Sequence, residues 1–272
     1  MILQAQVVKT LKVYNGFLLD LDGTIYRGTE PIPEALQFIK ELRETGRRFL
    51  YVTNNSSTTP EKVAVRLEAM GLPTDPEQVY TSSMAVAAYL SEKEPHGADV
   101  FIIGEEGLHT ALQQSGFRLT AEQPRYVVIG IDRAFTYEKL AIAVRAIRNG
   151  AQLIATNKDA ALPTENGLAP GTGSLVAAVS VAAGTTPLFI GKPETIIVNY
   201  ALQRLGTAPE ETLIVGDNLF TDIEAGANSG LDSLLVLTGF STEAEAERHP
   251  HRPTYVAANV YDWWKQQREQ RS

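Results

Sequence analysis

The chain of 272 residues is long enough to bury a sizeable core and suits a large domain carrying a smaller inserted one. With 44% hydrophobic and 21% charged residues it has the composition of an ordinary globular protein, and the absence of cysteine removes disulfides, thiolate zinc sites and thiol nucleophiles. A formal charge of -8, from 24 basic and 32 acidic residues, argues against a broad basic surface for nucleic-acid polymers, so an anionic substrate would need a local positive centre.

Residues 1–12 lack the basic start, apolar stretch and small-residue cleavage site of a secretory signal. No apolar run approaches the ~20 residues that span a bilayer. The expectation is a cytoplasmic chain with no membrane partner.

Short runs rich in Val, Ile, Leu and Phe end in polar or glycine residues and give way to helical periodicity, which predicts an α/β fold built on a parallel sheet covered on both faces. The predicted strands, in chain order, are 16–19, 48–52, 100–103, 126–129, 152–155, 188–190, 212–215 and 233–237. Residues 34–45 carry Leu36, Ile39 and Leu42 on one helical face and stop before Gly46. Residues 60–70 and 137–148 read as helices for the same reason. The acidic stretch 242–247 reads as a solvated helix or loop, and Trp263 and Trp264 as the packing face of a last helix.

The first strand is apolar without alternation and turns polar at Asp20, in Asp20-Leu21-Asp22-Gly23-Thr24. Ligands of open parallel sheets bind beyond the carboxyl ends of the strands. Asp20 and Asp22, two residues apart on extended chain, would share one site, with Gly23 letting the chain turn. Taken alone, the same run also suits a loop that caps the following helix. Three further strand ends bear on that choice. The strand 48–52 runs into Thr53-Asn54-Asn55-Ser56-Ser57, where Thr53 can meet a phosphate while Ser56, Ser57 and Thr58 read as a helix cap. The strand 188–190 leads into Gly191-Lys192-Pro193, whose ammonium can neutralise phosphate charge. The strand 212–215 ends in Gly216-Asp217, with Asp222 following. Four carboxylates in one crevice need a cation, and an all-oxygen set selects a hard one, Mg²⁺ before Ca²⁺.

Together these residues resemble the haloacid dehalogenase-like hydrolase superfamily, whose four signatures are matched in order by Asp20-x-Asp22-Gly23-Thr24, Thr53, Lys192, and Gly216-Asp217 with Asp222. The spelling of 52–57, of Gly191-Lys192-Pro193 and of 216–222 is similar to its subclass IIA, the NagD-like or p-nitrophenylphosphatase-like phosphatases. About thirty residues separate Asp20 from Thr53, too few for a cap, whereas roughly 140 separate Thr53 from Lys192. The resemblance therefore implies a Rossmann-like catalytic core, residues 1–82 and 187–272, with a C2-type cap inserted over 83–186.

It also implies a reaction. Asp20 would attack a small phosphate monoester to give an aspartyl-phosphate, and Asp22 would act as general acid and then base. Mg²⁺ would be held by Asp20, the Asp22 backbone carbonyl and Asp217, with Asp222 orienting a bound water or Lys192. Thr53, the Asn54 amide and Lys192 would hold the phosphoryl oxygens. The partner is then a small phosphorylated metabolite, and a homo-oligomer is left open.

Specificity is expected in the cap. Asn157 and Asp159, in Thr156-Asn157-Lys158-Asp159, are candidate substrate contacts, and Asp132-Arg133 a weaker pair. Turn and helix-cap chemistry accounts for the same residues equally simply. Pro170-Gly171-Thr172-Gly173-Ser174 lacks the Gly-Lys-Ser/Thr ending of a nucleotide loop and reads as a turn and helix start. The four histidines have no metal-ligand spacing. A receiver domain, which also clusters aspartates around Mg²⁺, would be about half this length and would leave Asp22 without a role.

Overall fold

The computed structural model describes residues 12–164 and 167–270. The leader-free start expected for residues 1–12 falls, up to residue 11, outside the described residues. Among the described residues, no helix is long and apolar enough to cross a membrane.

The unalternating apolar strands lie at the centre of the main sheet, as burial on both faces requires. Its six strands run parallel in the order Tyr255–Ala257, Asp232–Val236, Thr212–Gly216, Gly16–Leu19, Arg48–Thr53 and Val79–Thr81. In Gly16–Leu19, Phe17 and Leu19 enter one apolar cluster with Phe38, Tyr51 and Trp264, while Leu18 enters another on the opposite face. The two-residue side-chain period of a strand divides them.

A second parallel sheet holds five strands in the order Leu188–Phe189, Gln152–Ala155, Tyr126–Ile129, Asp99–Ile103 and Arg118–Leu119. The fold is α/β throughout. The cluster containing Leu18 and Val52 continues through helix Ser82–Lys93 to Val100, Val128 and Ile154 of the second sheet. The two sheets thus share apolar packing, and the far face of the second is covered by helices Tyr137–Arg148 and Thr172–Ala183.

Several expectations change. Strand Leu188–Phe189 pairs with Gln152–Ala155, so the run before Gly191-Lys192 belongs to the second sheet and not to the main one. Its two-residue ladder carries no local signal of which sheet it joins. Helix Pro60–Ala69 is capped by Thr59, whose Oγ1 accepts from Lys62 N, leaving Ser56, Ser57 and Thr58 free of that task. Residues 242–247 keep to expectation, forming helix Glu243–Arg248 with only Ala246 buried, begun by a reciprocal cap between Thr242 and Glu245.

The last helix, Val260–Glu269, buries Trp263 and Trp264 as expected. It is fastened by a charge that its hydrophobic pattern did not announce. Glu41, 8% exposed on helix Pro33–Glu44, accepts from Tyr261 Oη at 2.8 Å, Trp264 Nε1 at 2.7 Å and the Arg268 guanidinium. Burial pushes the Glu41 carboxyl up, and the three donors outweigh it and hold the group below the usual carboxylate range.

Candidate active site

Three carboxylates and one ammonium meet beyond the carboxyl ends of neighbouring strands. Asp20 follows Gly16–Leu19 and its amide donates to Val215 O across to the adjacent strand at 2.9 Å. Asp217 follows Thr212–Gly216, and its Oδ2 accepts from Phe240 N at 2.6 Å. Asp222 lies in the wide helical turn Leu219–Ile223 and is 1% exposed. Oxygen atoms of these three side chains lie within 4.8 Å of one another.

Lys192 enters from between the sheets. Its ammonium is 2% exposed and donates to Asp20 Oδ1 at 2.5 Å, Asp222 Oδ1 at 2.7 Å and Val52 O at 2.8 Å, which uses all three of its hydrogens. Burial pulls the ammonium down, but the facing carboxylates of Asp20 and Asp222 outweigh it and keep Lys192 above the ordinary lysine range. Three carboxylates share this one cation. Burial, then Asp222, pushes Asp217 up to about 7. Burial also raises Asp20, with Asp222 and Asp217 adding to it and Lys192 opposing.

Gly23 is required by this crowding. Its φ of +80° belongs to the left-handed region, and a Cβ there would fall on Asp217 Oδ2. The turn it permits returns the chain through Tyr26, whose hydroxyl donates to Asp22 Oδ2 at 3.3 Å. Asp22 is solvent-accessible within the crevice, yet the protein around it removes enough water to raise its carboxyl, opposed by Arg66, Tyr26 and Lys192. The Arg66 guanidinium stacks over the Tyr26 ring at 4.3 Å and donates to Gly28 O. Neither Tyr26 nor Arg66 was anticipated. Arg66 stands on a helix face with no local motif, and Tyr26 reads as an ordinary core aromatic.

Thr53 ends the strand beside Asp20 and is 5% exposed; its Oγ1 accepts from Asn55 N at 3.1 Å. Asn54 turns toward the second sheet. Its Nδ2 donates to Lys192 O at 2.9 Å and to Asp159 Oδ2 at 3.2 Å, and its carbonyl accepts from Asn157 Nδ2 at 2.8 Å. Ser56 also faces that way, its Oγ accepting from Ile131 N at 3.1 Å. Asp20, Asp217, Asp222, Lys192, Thr53, Asn54, Asn157 and Asp159 are thereby brought together, with Asp22 at the mouth.

Asp132 and Arg133 are not part of this group. Asp132 caps its own turn through Ala134 N and pairs with Lys139 at 2.6 Å, and Arg133 pairs with Glu105 at 2.7 Å. Their chemistry is spent locally. His249 turns its Nδ1 toward His251 O at 3.0 Å, an arrangement without a metal-ligand partner among the described residues.

The sequence matches the model of the haloacid dehalogenase-like hydrolases over residues 17–118 and a second model of related HAD-hydrolase-like proteins over 189–263. It is 47% identical over 253 residues to 5'-nucleotidase YutF of Bacillus subtilis (strain 168), covering 93% of this chain and 98% of that protein. It is 48% identical over 246 residues to an acid sugar phosphatase of Staphylococcus aureus (strain USA300), covering 90% of this chain and 95% of that one. Its structure superposes on the crystal structure of 4-nitrophenylphosphatase from Thermotoga maritima with a TM-score of 0.89 at 34% identity, over 93% of this chain and 97% of that one.

The chain belongs to the haloacid dehalogenase-like hydrolases, and within them to the NagD-like, p-nitrophenylphosphatase-like phosphatases of subclass IIA. It is a phosphoric monoester hydrolase.

Proposed function

We propose that the protein is a Mg²⁺-dependent phosphatase that hydrolyses small phosphate monoesters through an aspartyl-phosphate on Asp20, with Asp22 as general acid and base. The observation that carries this reading is the buried Lys192 ammonium bonded to Asp20 and Asp222, with Asp217 in the same cluster. The names of the relatives direct attention to nucleotides, sugar phosphates and p-nitrophenyl phosphate as the substrate class.

The donor set fits a hard divalent cation. Three carboxylates against one ammonium leave an excess of negative charge, and every side-chain donor is oxygen. Asp20, Asp217 and the Asp22 backbone carbonyl would hold Mg²⁺, with Asp222 orienting Lys192 beside it. When bound, the ion supplies charge stabilisation for the phosphoryl group as it transfers.

The side chains then divide the work. An Asp20 carboxylate oxygen bonds to phosphorus as the bond from phosphorus to the leaving oxygen breaks, and Asp22 gives that oxygen its proton. Asp22, now a carboxylate, takes a proton from water as the water oxygen attacks phosphorus. The bond to Asp20 breaks, inorganic phosphate leaves, and both groups return to their starting states. Thr53 and the Asn54 amide hold the non-reacting oxygens, whose charge the Lys192 ammonium offsets from its place between Asp20 and Asp222.

The cap over this crevice would then span 83–189, because Leu188–Phe189 pairs with Gln152–Ala155, between core segments 1–82 and 190–272. Phosphate release from a panel of monoesters, with and without Mg²⁺, tests the reading. Asp20→Asn should abolish turnover in a protein that still melts cooperatively, and Mg²⁺-dependent turnover persisting in that variant would overturn the assignment.

A further inference from the structure

The polar side-chain atoms of Asn157, and one carboxylate oxygen of Asp159, are engaged within the protein beside the crevice. Asn157 is 4% exposed. Its Nδ2 donates to Asn54 O at 2.8 Å and to Thr156 Oγ1 at 3.3 Å, and its Oδ1 accepts from Asp159 N at 3.1 Å. Both amide hydrogens and one acceptor position are therefore engaged within the protein. Asp159 Oδ2 in turn accepts from Asn54 Nδ2, the same amide that donates to Lys192 O.

Asn54 is thus gripped at both ends. Its carbonyl receives Asn157 Nδ2 from the second sheet and Ser82 Oγ at 2.7 Å from helix Ser82–Lys93, while its side chain ties Asp159 to Lys192. The strand-end segments are in close contact here: Gly191 N donates to Thr156 O at 2.8 Å, and a Cβ on Gly191 would fall on Thr156 O and Asn54 Oδ1. A hydrogen-bonded buried network of this kind holds one arrangement of the backbone. The backbone held is the one proposed above to bind the phosphoryl oxygens.

We propose that Asn157 and Asp159 are positioning residues for the phosphate-binding loop, fixing Asn54 and with it Thr53 and the Lys192 segment, and that they do not read the leaving group. The inference rests on the phosphatase reading. Its consequence is specific: loosening the loop weakens every phosphate ester by one factor, because the shared part of all substrates is what the loop holds.

Asn157→Asp keeps the acceptor for Asp159 N but replaces the donor to Asn54 O with a carboxylate. It should lower kcat/KM by about 10- to 100-fold, the scale of a small displacement at a reacting centre. The factor should be the same for p-nitrophenyl phosphate, a hexose phosphate, a nucleoside monophosphate and glycerol phosphate. Calorimetric titration with inorganic phosphate, which has no leaving group, should show weaker binding in the variant. Asp159→Leu should behave alike, and Asp159→Asn, which keeps an acceptor for Asn54 Nδ2, should recover most of the loss.

A changed rank order of substrates with unaltered phosphate binding would make these residues leaving-group contacts and overturn the inference. Should Asn157→Asp fail to fold, the Asp159 pair decides by the same criteria. A wild-type protein that releases no phosphate from any ester would instead remove the functional reading itself, a result distinct from either outcome.

Discussion

The Lys192 ammonium lies 2.7 Å from Asp222 Oδ1, with the two side chains 2% and 1% exposed. No solvent screens this pair, and Asp20 adds a second carboxylate at 2.5 Å. Removing one member of a buried ion pair leaves the other charged and unpaired, which destabilises a protein by roughly 3–5 kcal/mol. Lys192→Met, similar in length but without charge, should therefore lose both turnover and stability. Urea denaturation measures the second effect, and an unshifted midpoint would mean that Asp222 finds another partner.

Glu41 carries a pH dependence opposite in sign to that of the raised carboxyls of Asp20 and Asp217. Tyr261, Trp264 and Arg268 hold its carboxyl below the usual range despite burial. A depressed folded-state pKa contributes stability above the unfolded value of about 4.3, and that contribution disappears as pH falls through the folded value. Glu41→Gln, which loses the charge but keeps an acceptor, should be less stable than wild type at pH 7 by about 1.5–3 kcal/mol, as for other hydrogen bonds to a charged group. The two stability curves should converge on the acid side. Thermal melts between neutral pH and about pH 3 check this, and a gap that stays constant would exclude a role for the Glu41 charge.

Asp22 is the group whose importance should depend on the substrate. If it protonates the departing oxygen, its loss matters most for alkoxide leaving groups and least for an aryl oxide that departs without a proton. Asp22→Asn should lower kcat/KM for sugar and glycerol phosphates, which reports the steps up to alcohol release and not the later hydrolysis, by about 10²- to 10⁴-fold, the usual contribution of a general acid. The loss for p-nitrophenyl phosphate should be clearly smaller. Equal losses across both classes would assign Asp22 to something other than leaving-group protonation.

How much of this was legible depends on distance along the chain. Asp20, Thr53 and Asp217 stand where uniformly apolar runs turn polar, and in a parallel sheet those positions converge, so they could be read locally. Lys192 was legible as a strand-end lysine, but the sheet its strand joins was not, since Leu188–Phe189 is set by pairing with Gln152–Ala155. Strands Val79–Thr81 and Tyr255–Ala257 have three residues each at the sheet edges, too short for a period to register. The serines after Thr53 suggested a helix cap, and Ser56 instead accepts from Ile131 N, a contact with a segment 75 residues away. Composition identifies such groups as hydrogen-bonding. It does not say toward what.

The charge imbalance at the crevice gives a prediction that needs no substrate. Asp20, Asp217 and Asp222 share one ammonium, and burial raises Asp20 and brings Asp217 to about 7. A divalent cation bound there should relieve that repulsion, and a ligand that binds the native state alone raises stability by about 2.7 kcal/mol at a hundredfold excess over its Kd. Adding millimolar Mg²⁺ to metal-stripped protein should therefore raise the melting temperature, and chelation should reverse the gain. Asp217→Asn removes one donor and one charge together, so its Mg²⁺-dependent shift should shrink while its melting temperature without metal stays level or rises. The smaller shift separates a metal site from a structural carboxylate: Asn keeps an acceptor for Phe240 N, so were Asp217 needed only for that bond, the variant would keep its full Mg²⁺-dependent gain.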